Sequence, residues 1–234
     1  MTKMIFDGKD ITQYVRVKDI RRDLIPPMES EAQDIPGRPG SVVAKTNIKD
    51  RLLEVDVRIE VNSRPELRQK IRELAGLLYT DEKKKLQFTD ENVFYMAKID
   101  GETGIEESSI FGDITLTFLC DPLLYGGVKT LSLGETLRNG GTYPTTGIIT
   151  VTMGAADFLK VTLKSTGEYV YIEHNFVSGD TVAIDLETEM VYKNGLSISK
   201  DVYLESDFFM IPKGEFEITL SSGTGTAEFT ERWL

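Results

Sequence analysis

The nine residues from Leu53 to Val61, LEVDVRIEV, alternate strictly between apolar and charged side chains. A period of two places the apolar side chains on one face of an extended chain and the charged ones on the other. This pattern predicts a half-buried strand of an antiparallel sheet, with one face on a core and one face in water. Shorter patterns predict further strands at Val15 to Ile20, Leu86 to Phe88, Val93 to Ile99 and Asp113 to Cys120.

A helix is predicted directly after the alternating strand, over residues 64 to 79. Ser63 can cap the free amides at its start, Pro65 suits the first turn, and Glu66 completes a capping box. We therefore expect an amphipathic helix that lies on the sheet. Its apolar stripe consists of four residues at helical spacing: Leu67, Ile71, Leu74 and Leu78.

The second half of the chain changes to short β-branched and aromatic runs separated by turn residues. A spacing of about 8 to 12 residues without a helical stretch predicts a β-sandwich. Within it, Asn194 and Gly195 form a tight-turn dipeptide that favours positive φ. The predicted strands are Ile148 to Met153, Phe158 to Leu163, Tyr169 to Ile172, Thr181 to Leu186, Met190 to Tyr192, Phe208 to Ile211, Phe216 to Leu220 and Ala227 to Phe229.

A domain boundary is predicted where the last strand of the first half stops. Asp121 and Pro122 end that ladder, because proline has no amide to donate. Tyr125 to Gly127 then favours a hinge. The predicted fold is mainly β (all-β or α+β). An antiparallel, β-sandwich-like domain with one helix spans residues 1–127, and a second β-sandwich spans residues 128–234.

The charge and the absence of long apolar segments argue against several kinds of partner. The formal net charge is −11, whereas gripping phosphates requires clustered Lys and Arg, so we expect no sequence-specific binding of nucleic acid. No segment approaches the roughly 18 apolar residues of a membrane span. The first residues lack the pattern of a secretory signal. We therefore expect no membrane partner, and folding in a reducing cytoplasm.

Residues suited to catalysis or metal binding are scarce. His174 is the single histidine and Cys120 the single cysteine, which leaves structural zinc without ligands. Cys120 also falls in an apolar strand pattern that predicts burial. The glycine-rich Gly37 to Ser41 lacks the following Lys-Ser or Lys-Thr of a phosphate loop and favours a turn or extended loop. We therefore predict no catalytic residue, no cofactor and no metal.

Four neighbouring acidic residues in the second half offer oxygen ligands of the kind that calcium accepts. Their spacing lacks the glycine-centred loop of known calcium motifs. The favoured interpretation is a solvated hairpin rim. The four are Asp180, Asp185, Glu187 and Glu189.

Two other functions remain open. Tyr169 and Tyr171 share a strand face and could stack on a sugar, as in a stand-alone carbohydrate-binding module, although core packing or a cross-strand pair is favoured. Such a module predicts a monomer with an exposed aromatic platform. A hydrolase is supported only by the 38 acidic residues, and it predicts a cleft that holds a carboxylate of raised pKa.

The order of several segments is distinctive: an opening IFDGKDIT, a GRPG loop, the alternating strand, the capped helix and a closing FLCDPLLYGG. This order resembles the distal tail protein family of siphophages. Phe118 to Tyr125 is similar to the family's Phe-x-Cys-x-Asp-Pro-x-x-Tyr ending, although Cys120 and Asp121 are adjacent here. Gly179 to Gly195 resembles a hairpin of the family's galectin-like domain, and Ile211 to Glu215 resembles the turn before its final strands. The likeness covers nearly the whole chain.

The resemblance implies a baseplate hub at the tip of a virion tail, made in the cytoplasm of the host bacterium. It implies a ring, usually hexameric, formed by the amino-terminal domain with galectin-like domains outside it. It also implies three kinds of partner: the tail tube protein, the tail-tip protein and receptor-binding proteins that the outer domains can support. A ring requires one surface to meet a different surface of the next copy.

A candidate for such a contact is the segment of residues 24–47. We predict it to be an extended loop without regular structure that reaches a neighbouring copy, since so long a loop in a compact domain calls for an explanation. Four prolines stiffen it: Pro26, Pro27, Pro36 and Pro39.

Overall fold

The computed structural model describes residues 2–101, 103–108 and 110–234. The chain forms two compact units, one of residues up to Tyr125 together with Leu234, and one of Gly126–Trp233. Each unit surrounds its own cluster of buried apolar side chains. Antiparallel strands dominate both units, which confirms the predicted mainly β fold. Among the described residues, no helix combines the length and the apolar character needed to cross a membrane.

The first unit has one α-helix and ten strands among its described residues. The helix α1 spans Arg64–Leu78, and a short 3-10 helix spans Ile11–Gln13. The strands are β1 (Met4–Phe6), β2 (Lys9–Asp10), β3 (Arg16–Arg21), β4 (Met28–Asp34), β5 (Ser41–Ile48), β6 (Arg51–Glu60), β7 (Lys84–Phe88), β8 (Phe94–Ile99), β9 (Ile105–Glu107) and β10 (Phe111–Cys120).

The predicted alternating strand corresponds to β6, which pairs with β3 on one side and β10 on the other. One end of β10 continues the ladder to β8, and then to β7, β1 and β2, while its other end pairs with β9. The alternation is confirmed, because every second residue of β6 is buried. Phe118 on β10 lies opposite Leu53 and is fully buried, as is Cys120.

The apolar stripe of α1 is confirmed, since Leu67, Leu74 and Leu78 are buried and Ile71 packs against the same cluster. The predicted capping box is wrong. The Ser63 side chain makes no capping hydrogen bond, and the Glu66 carboxylate instead accepts the backbone N–H of Asn62 at 3.1 Å. The carboxylate therefore binds the backbone N–H of Asn62, one residue before the Ser63 N–H that it would bind in a capping box.

The prediction of an irregular loop over residues 24–47 is wrong. β4 and β5 form a two-stranded antiparallel ribbon in this segment, with Met28 opposite Ile48 and Asp34 opposite Ser41. Gly37 and Gly40 adopt positive φ at the tip, so the predicted turn at Gly37 to Ser41 is confirmed.

The second unit contains a 3-10 helix at Ser199–Asp201 and two larger sheets. One sheet has the order β18-β17-β16-β13-β21, the other β15-β14-β20, and β12 pairs with β19. Both larger sheets contribute to one buried cluster, as in a β-sandwich. The strands are β11 (Leu124–Ser132, which begins in the first unit), β12 (Leu137–Asn139), β13 (Gly147–Thr152), β14 (Ala156–Leu163), β15 (Tyr169–Phe176), β16 (Thr181–Asp185), β17 (Met190–Lys193), β18 (Leu196–Ser197), β19 (Gly214–Phe216), β20 (Ile218–Leu220) and β21 (Thr224–Trp233).

Three predictions of local structure concern residues of the second unit. Asn194 and Gly195 have φ of 48° and 81° and join β17 to β18, which confirms the tight turn. Gly126 lies in β11 rather than in a hinge, and a Cβ there would stand 2.6 Å from the ring of Trp233, so close approach explains this glycine. The prediction of a strand at Phe208 to Ile211 is wrong, because within this segment only Ile211 pairs with another strand residue, through a single bridge to Thr145.

Candidate interaction surfaces

The ribbon of β4 and β5 has two different faces and no core beneath it. Its strands pair with each other and, among the described strands, with no others. Cross-strand partners share a face, so Met28 and Ile48 lie together with Ala32 and Val43, and Asp34 at the end of β4 lies on this face as well. The opposite face carries Glu29, Glu31 and Gln33. Met28 and Val43 are each 55% exposed. An apolar face in this position is typical of a surface that another molecule covers.

The polar face of the ribbon is held by its own contacts. Glu29 forms a salt bridge with Lys49 at 2.8 Å, and the amide of Asn47 donates to Glu31 at 3.4 Å. Glu31 also lies opposite Lys45 in the register of the two strands and interacts electrostatically with Lys49. The carboxylates of this face therefore stand beside lysines of the same ribbon.

An apolar groove lies between α1 and the sheet of the same unit. Its volume is about 290 Å³. The helix contributes Ile71, Leu74 and Ala75, and the strands contribute Ile105 and Ile114. The groove also borders Thr80, whose hydroxyl oxygen is buried and has no hydrogen-bond partner in the part of the chain that the structure describes. A threonine hydroxyl can both donate and accept a hydrogen bond, so the wall of the groove includes one polar group.

Three arginines follow one side of α1 at intervals of four residues: Arg64, Arg68 and Arg72. All three are exposed, and none forms a salt bridge with another described residue. Residues four apart lie on the same side of a helix, and here that side adjoins the one that lines the groove. The three arginines therefore form a positively charged strip on the side of α1 next to the one that lines the groove.

Charges on the solvent face of β6 and its neighbours are paired with each other. Arg58 donates to both carboxylate oxygens of Asp113 at 2.8 and 2.6 Å, and this bond is the main reason that the pKa of Asp113 falls to about 2. Arg21 donates to Glu54 at 2.8 Å and to Asp56 at 2.6 Å. These arginines are already neutralised, so the face offers little free positive charge.

The second unit carries an exposed aromatic cluster on the outer face of the sheet β15-β14-β20. Phe158 stacks on Tyr171 with ring centroids 5.3 Å apart, and Tyr203 contacts Tyr171 edge-on at 5.9 Å. Phe158 is 42% exposed and Tyr203 48% exposed. The predicted cross-strand packing of Tyr171 is thus confirmed, and the ammonium of Lys160 covers Tyr169 at 3.9 Å. The roles of Phe158 and Tyr203 could not be predicted from the sequence, because only the fold brings them to Tyr171.

The acidic quartet separates into two different roles. Asp185, Glu187 and Glu189 lie at the turn between β16 and β17, where Asp185 accepts the backbone N–H of Glu187 at 2.9 Å. For these three the predicted hairpin rim is confirmed. Asp180 is buried instead, so its assignment to the rim is wrong.

Asp180 fixes a turn from the inside of the second unit. It accepts the N–H of Val177 at 2.9 Å, forms a salt bridge with Lys193 at 2.9 Å and accepts the amide of Asn194 at 2.8 Å. These contacts, the first above all, lower the pKa of Asp180 to about 2. The carboxylate therefore satisfies local donors and is not free to hold an ion.

Cys120 and His174 have the side chains best suited to catalysis or metal binding, but the contacts of both are structural. Burial raises the pKa of the Cys120 thiol to about 12, which makes it a poor nucleophile. His174 places Nδ1 2.8 Å from Asp201 and Nε2 3.3 Å from the ammonium of Lys193. Cys120 belongs to the first unit and His174 to the second. No group of three or more metal-binding side chains occurs in the described ranges.

Two family models match the chain in succession. Residues 7–120 match the phage tail protein RIFT-related domain, and residues 140–233 match the siphovirus-type tail component, C-terminal domain. A curated relative, the distal tail protein of Bacillus phage SPP1, is 28% identical over 241 residues, which cover 99% of this chain and 95% of the relative. The chain belongs to the distal tail protein family of siphophages.

Solved structures agree with this family. The crystal structure of the SPP1 Dit protein, described as a paradigm of hub adsorption apparatus in phages that infect Gram-positive bacteria, matches all of this chain and all of that one. The TM-score is 0.89 and the identity 25%. A chain of the phage P2 baseplate in its activated conformation covers 100% of this chain at a TM-score of 0.50, with 12% identity, and shares the fold. As a distal tail protein, the chain is a component of a phage tail.

Proposed function

We propose that this distal tail protein is the structural subunit of a hub that joins the tail tube to the tail-tip apparatus of a siphophage. The observation that carries the proposal is the match along nearly the whole chain to a distal tail protein, together with the structural match to a hub protein. The exposed apolar and aromatic surfaces described above are suited to contacts with other proteins, as expected for a subunit of an assembly. The tail tube protein, the tail-tip protein and a receptor-binding protein are the proposed partners.

The hub is proposed to be a ring of six copies. In a closed ring each copy uses one surface to bind a different surface of the next copy. The exposed ribbon β4–β5 supplies a surface of this kind, because its apolar face has no cover within its own described chain. The ribbon is thus the arm that reaches a neighbouring copy.

Residues 1–127 are proposed to form the ring and residues 128–234 to form an outer, galectin-like domain. The separate apolar clusters of the two compact units support independent folding of the two parts. Expressed alone, residues 1–127 should associate and residues 128–234 should remain monomeric. The opposite result, with assembly by the second fragment alone, would reverse the assignment.

The decisive experiment is light scattering on the purified full-length chain. A mass near that of six 26.3 kDa chains is expected. A stand-alone carbohydrate-binding module would give the mass of one chain at all concentrations. If the chain stays monomeric at high concentration and binds neither a tail-tip nor a tail tube protein, the proposal that it forms a hub is refuted.

A second candidate function, binding of neutral saccharides by the outer domain, is favoured by the aromatic cluster of Phe158, Tyr171 and Tyr203. Aromatic faces and phenol hydroxyls suit the apolar faces and hydroxyl groups of sugar rings. Calorimetric titration with maltohexaose, cellohexaose and chitohexaose should detect binding that Tyr203→Ala removes and Tyr79→Ala, in the other unit, retains. The candidate fails if all three sugars give no heat at millimolar concentration.

A further inference from the structure

We propose that Arg22 and Asp50 are positioning residues for assembly. Through two ionic clamps at the ends of β7, they fix the direction in which the ribbon projects from the first unit. The consequence for assembly rests on the proposed ring, because an arm that binds a neighbouring copy must be aimed at it. Both residues lie in the legs of the ribbon, which are the irregular segments of residues 22–27 and 49–50 that join it to β3 and β6.

The backbone of the legs restrains the ribbon weakly. Neither leg belongs to a strand, and a backbone hydrogen bond joins them from the N–H of Lys49 to the carbonyl of Pro27 at 2.8 Å. Pro26 is buried, but the chain before it is exposed at Leu24 and Ile25. The ribbon itself pairs with no strand of the described residues outside it, and it adds nothing to the apolar cluster of its unit. The direction of the ribbon therefore depends on the side chains of the legs.

The first clamp holds Arg22. Its guanidinium forms salt bridges with Asp90, at 3.4 Å, and with Glu91, and it lies 5.3 Å from the centroid of the Phe88 ring. Phe88 ends β7, and the two carboxylates lie in the turn that follows. Burial raises the pKa of Glu91, so Arg22 binds a carboxylate that is partly withdrawn from water. A charge in such a place is costly without its partner, which favours the clamped position of the leg.

The second clamp holds Asp50. Its carboxylate accepts the ammonium of Lys83 at 2.6 Å, and the same ammonium binds Asp121 at 2.7 Å. Lys83 directly precedes β7. Burial by itself would lower the pKa of Lys83, but the hydrogen bonds to Asp121 and Asp50 raise it. The lysine is therefore held in its charged form, between the leg and the body of the unit.

Both clamps are attached to one strand that is itself held on both sides. β7 pairs with β1 and with β8, and the five residues from Lys83 to Phe88 span roughly 16 Å along it. Two points of attachment prevent the ribbon from turning about either one. Among the described residues, no other side chain of the legs forms a hydrogen bond or salt bridge with a residue outside the ribbon and its legs.

The length of the ribbon magnifies a small change of direction at the legs. The seven residues of β4 rise about 3.4 Å each, or roughly 24 Å in all. A swing of about 20° at the legs would therefore move the tip by roughly 8 Å. Apolar contacts extend only to about 4.5 Å between heavy atoms, so a ribbon without its clamps would miss its place on a neighbouring copy.

Cutting each clamp at the leg tests the positioning role in the full-length chain. Arg22→Gln cuts the first clamp, and Asp50→Asn cuts the second while the pair of Lys83 with Asp121 remains. Arg21→Gln is the matched control, because this neighbouring arginine pairs with carboxylates of β6 and not with a clamp. In light scattering, each clamp variant should raise the concentration needed for half assembly by about ten-fold or more. The control should assemble like the unchanged chain.

A distance within one chain distinguishes positioning from stability. Nitroxide labels are attached through Arg38→Cys at the tip of the ribbon and Glu73→Cys on α1, two exposed positions, while the native Cys120 is buried. Single chains are isolated by size-exclusion chromatography of dilute samples, and pulsed electron paramagnetic resonance records the distribution of distances. The distribution should be narrow in the unchanged chain and in the Arg21→Gln control. Either clamp variant should widen it at least two-fold without lowering the urea midpoint, and Asp50→Glu, which keeps the carboxylate, should restore the narrow distribution.

The possible results separate the clamps from the hub. Equal widths in all variants, or clamp variants that assemble at the concentration of the unchanged chain, would overturn the positioning role. A distribution that widens only together with a lowered urea midpoint would assign the two residues to stability and would also overturn it. A chain that never associates would refute the hub, whereas the distances within single chains would still decide whether the clamps fix the ribbon.

Discussion

Replacing Leu74 with alanine tests whether the stripe of α1 holds the first unit together. Leu74 is 3% exposed and lies both in the apolar cluster and on the wall of the groove. The change removes three carbons, worth roughly 2.4 kcal/mol at about 0.8 kcal/mol per carbon group. Leucine-to-alanine changes in cores cost about 2–5 kcal/mol once the cavity is included. Because one side of Leu74 already faces the groove, we expect a loss of about 2–3 kcal/mol in the free energy of unfolding.

Urea unfolding followed by helical circular dichroism measures this loss. The signal reports on the first unit, since α1 is the single α-helix of the described residues. With a urea dependence of about 1–3 kcal/mol per molar, the midpoint should fall by roughly 0.7–3 M. Glu73→Ala, an exposed neighbour on the same helix, is the control and should cost less than about 0.5 kcal/mol. An equally small loss for Leu74→Ala would mean that the stripe is not part of the core.

Three further predictions concern single residues. The Cys120 thiol, buried and with its pKa raised to about 12, should resist a thiol reagent at pH 8 until denaturant is added; rapid labelling of the folded chain would contradict this. Asp180→Asn should lower the melting temperature at pH 7. The difference in melting temperature between this variant and the unchanged chain should narrow from about pH 4 to pH 2, because a lowered carboxyl pKa stabilises the fold only above that range. A difference that stays constant with pH would argue against a stabilising role of the Asp180 carboxylate. Gly195→Ala, at φ of 81°, should cost about 1 kcal/mol in chemical unfolding, whereas Gly127→Ala, where a Cβ meets open space, should cost less; equal losses would exclude the turn as the cause.

The elements with a core beneath them could be predicted from the sequence. Burial of one face imposes a period of two on β6 and β10 and a helical period on α1, and these periods are visible in the chain. The tight turn at Asn194 and Gly195 was also predictable, because positive φ at both positions restricts the residues that can stand there.

The ribbon could not be predicted in the same way. No core lies beneath β4, and its Met28 face also carries Ser30 and Asp34, so apolar and polar residues do not alternate along the strand and the segment has the composition of a loop. The bulge opposite Glu31 and Ala32 further shifts the period in β5. The aromatic cluster was missed for another reason, since Phe158, Tyr171 and Tyr203 meet only through the pairing of β14 with β15 and the segment after the 3-10 helix. Asp180 was misplaced because the sequence does not reveal which donors face a carboxylate.

The isolated position of the ribbon also bears on solubility before assembly. Both of its long sides are strand edges, and the free N–H and C=O groups of such edges can pair with any extended chain and lead to aggregation. Pro27 and Pro36 flank β4, the bulge interrupts β5, and Glu29 and Lys45 place charge along the sides. These are features that discourage pairing through strand edges. A single chain can thus expose the apolar face of the ribbon without forming fibres through its strand edges.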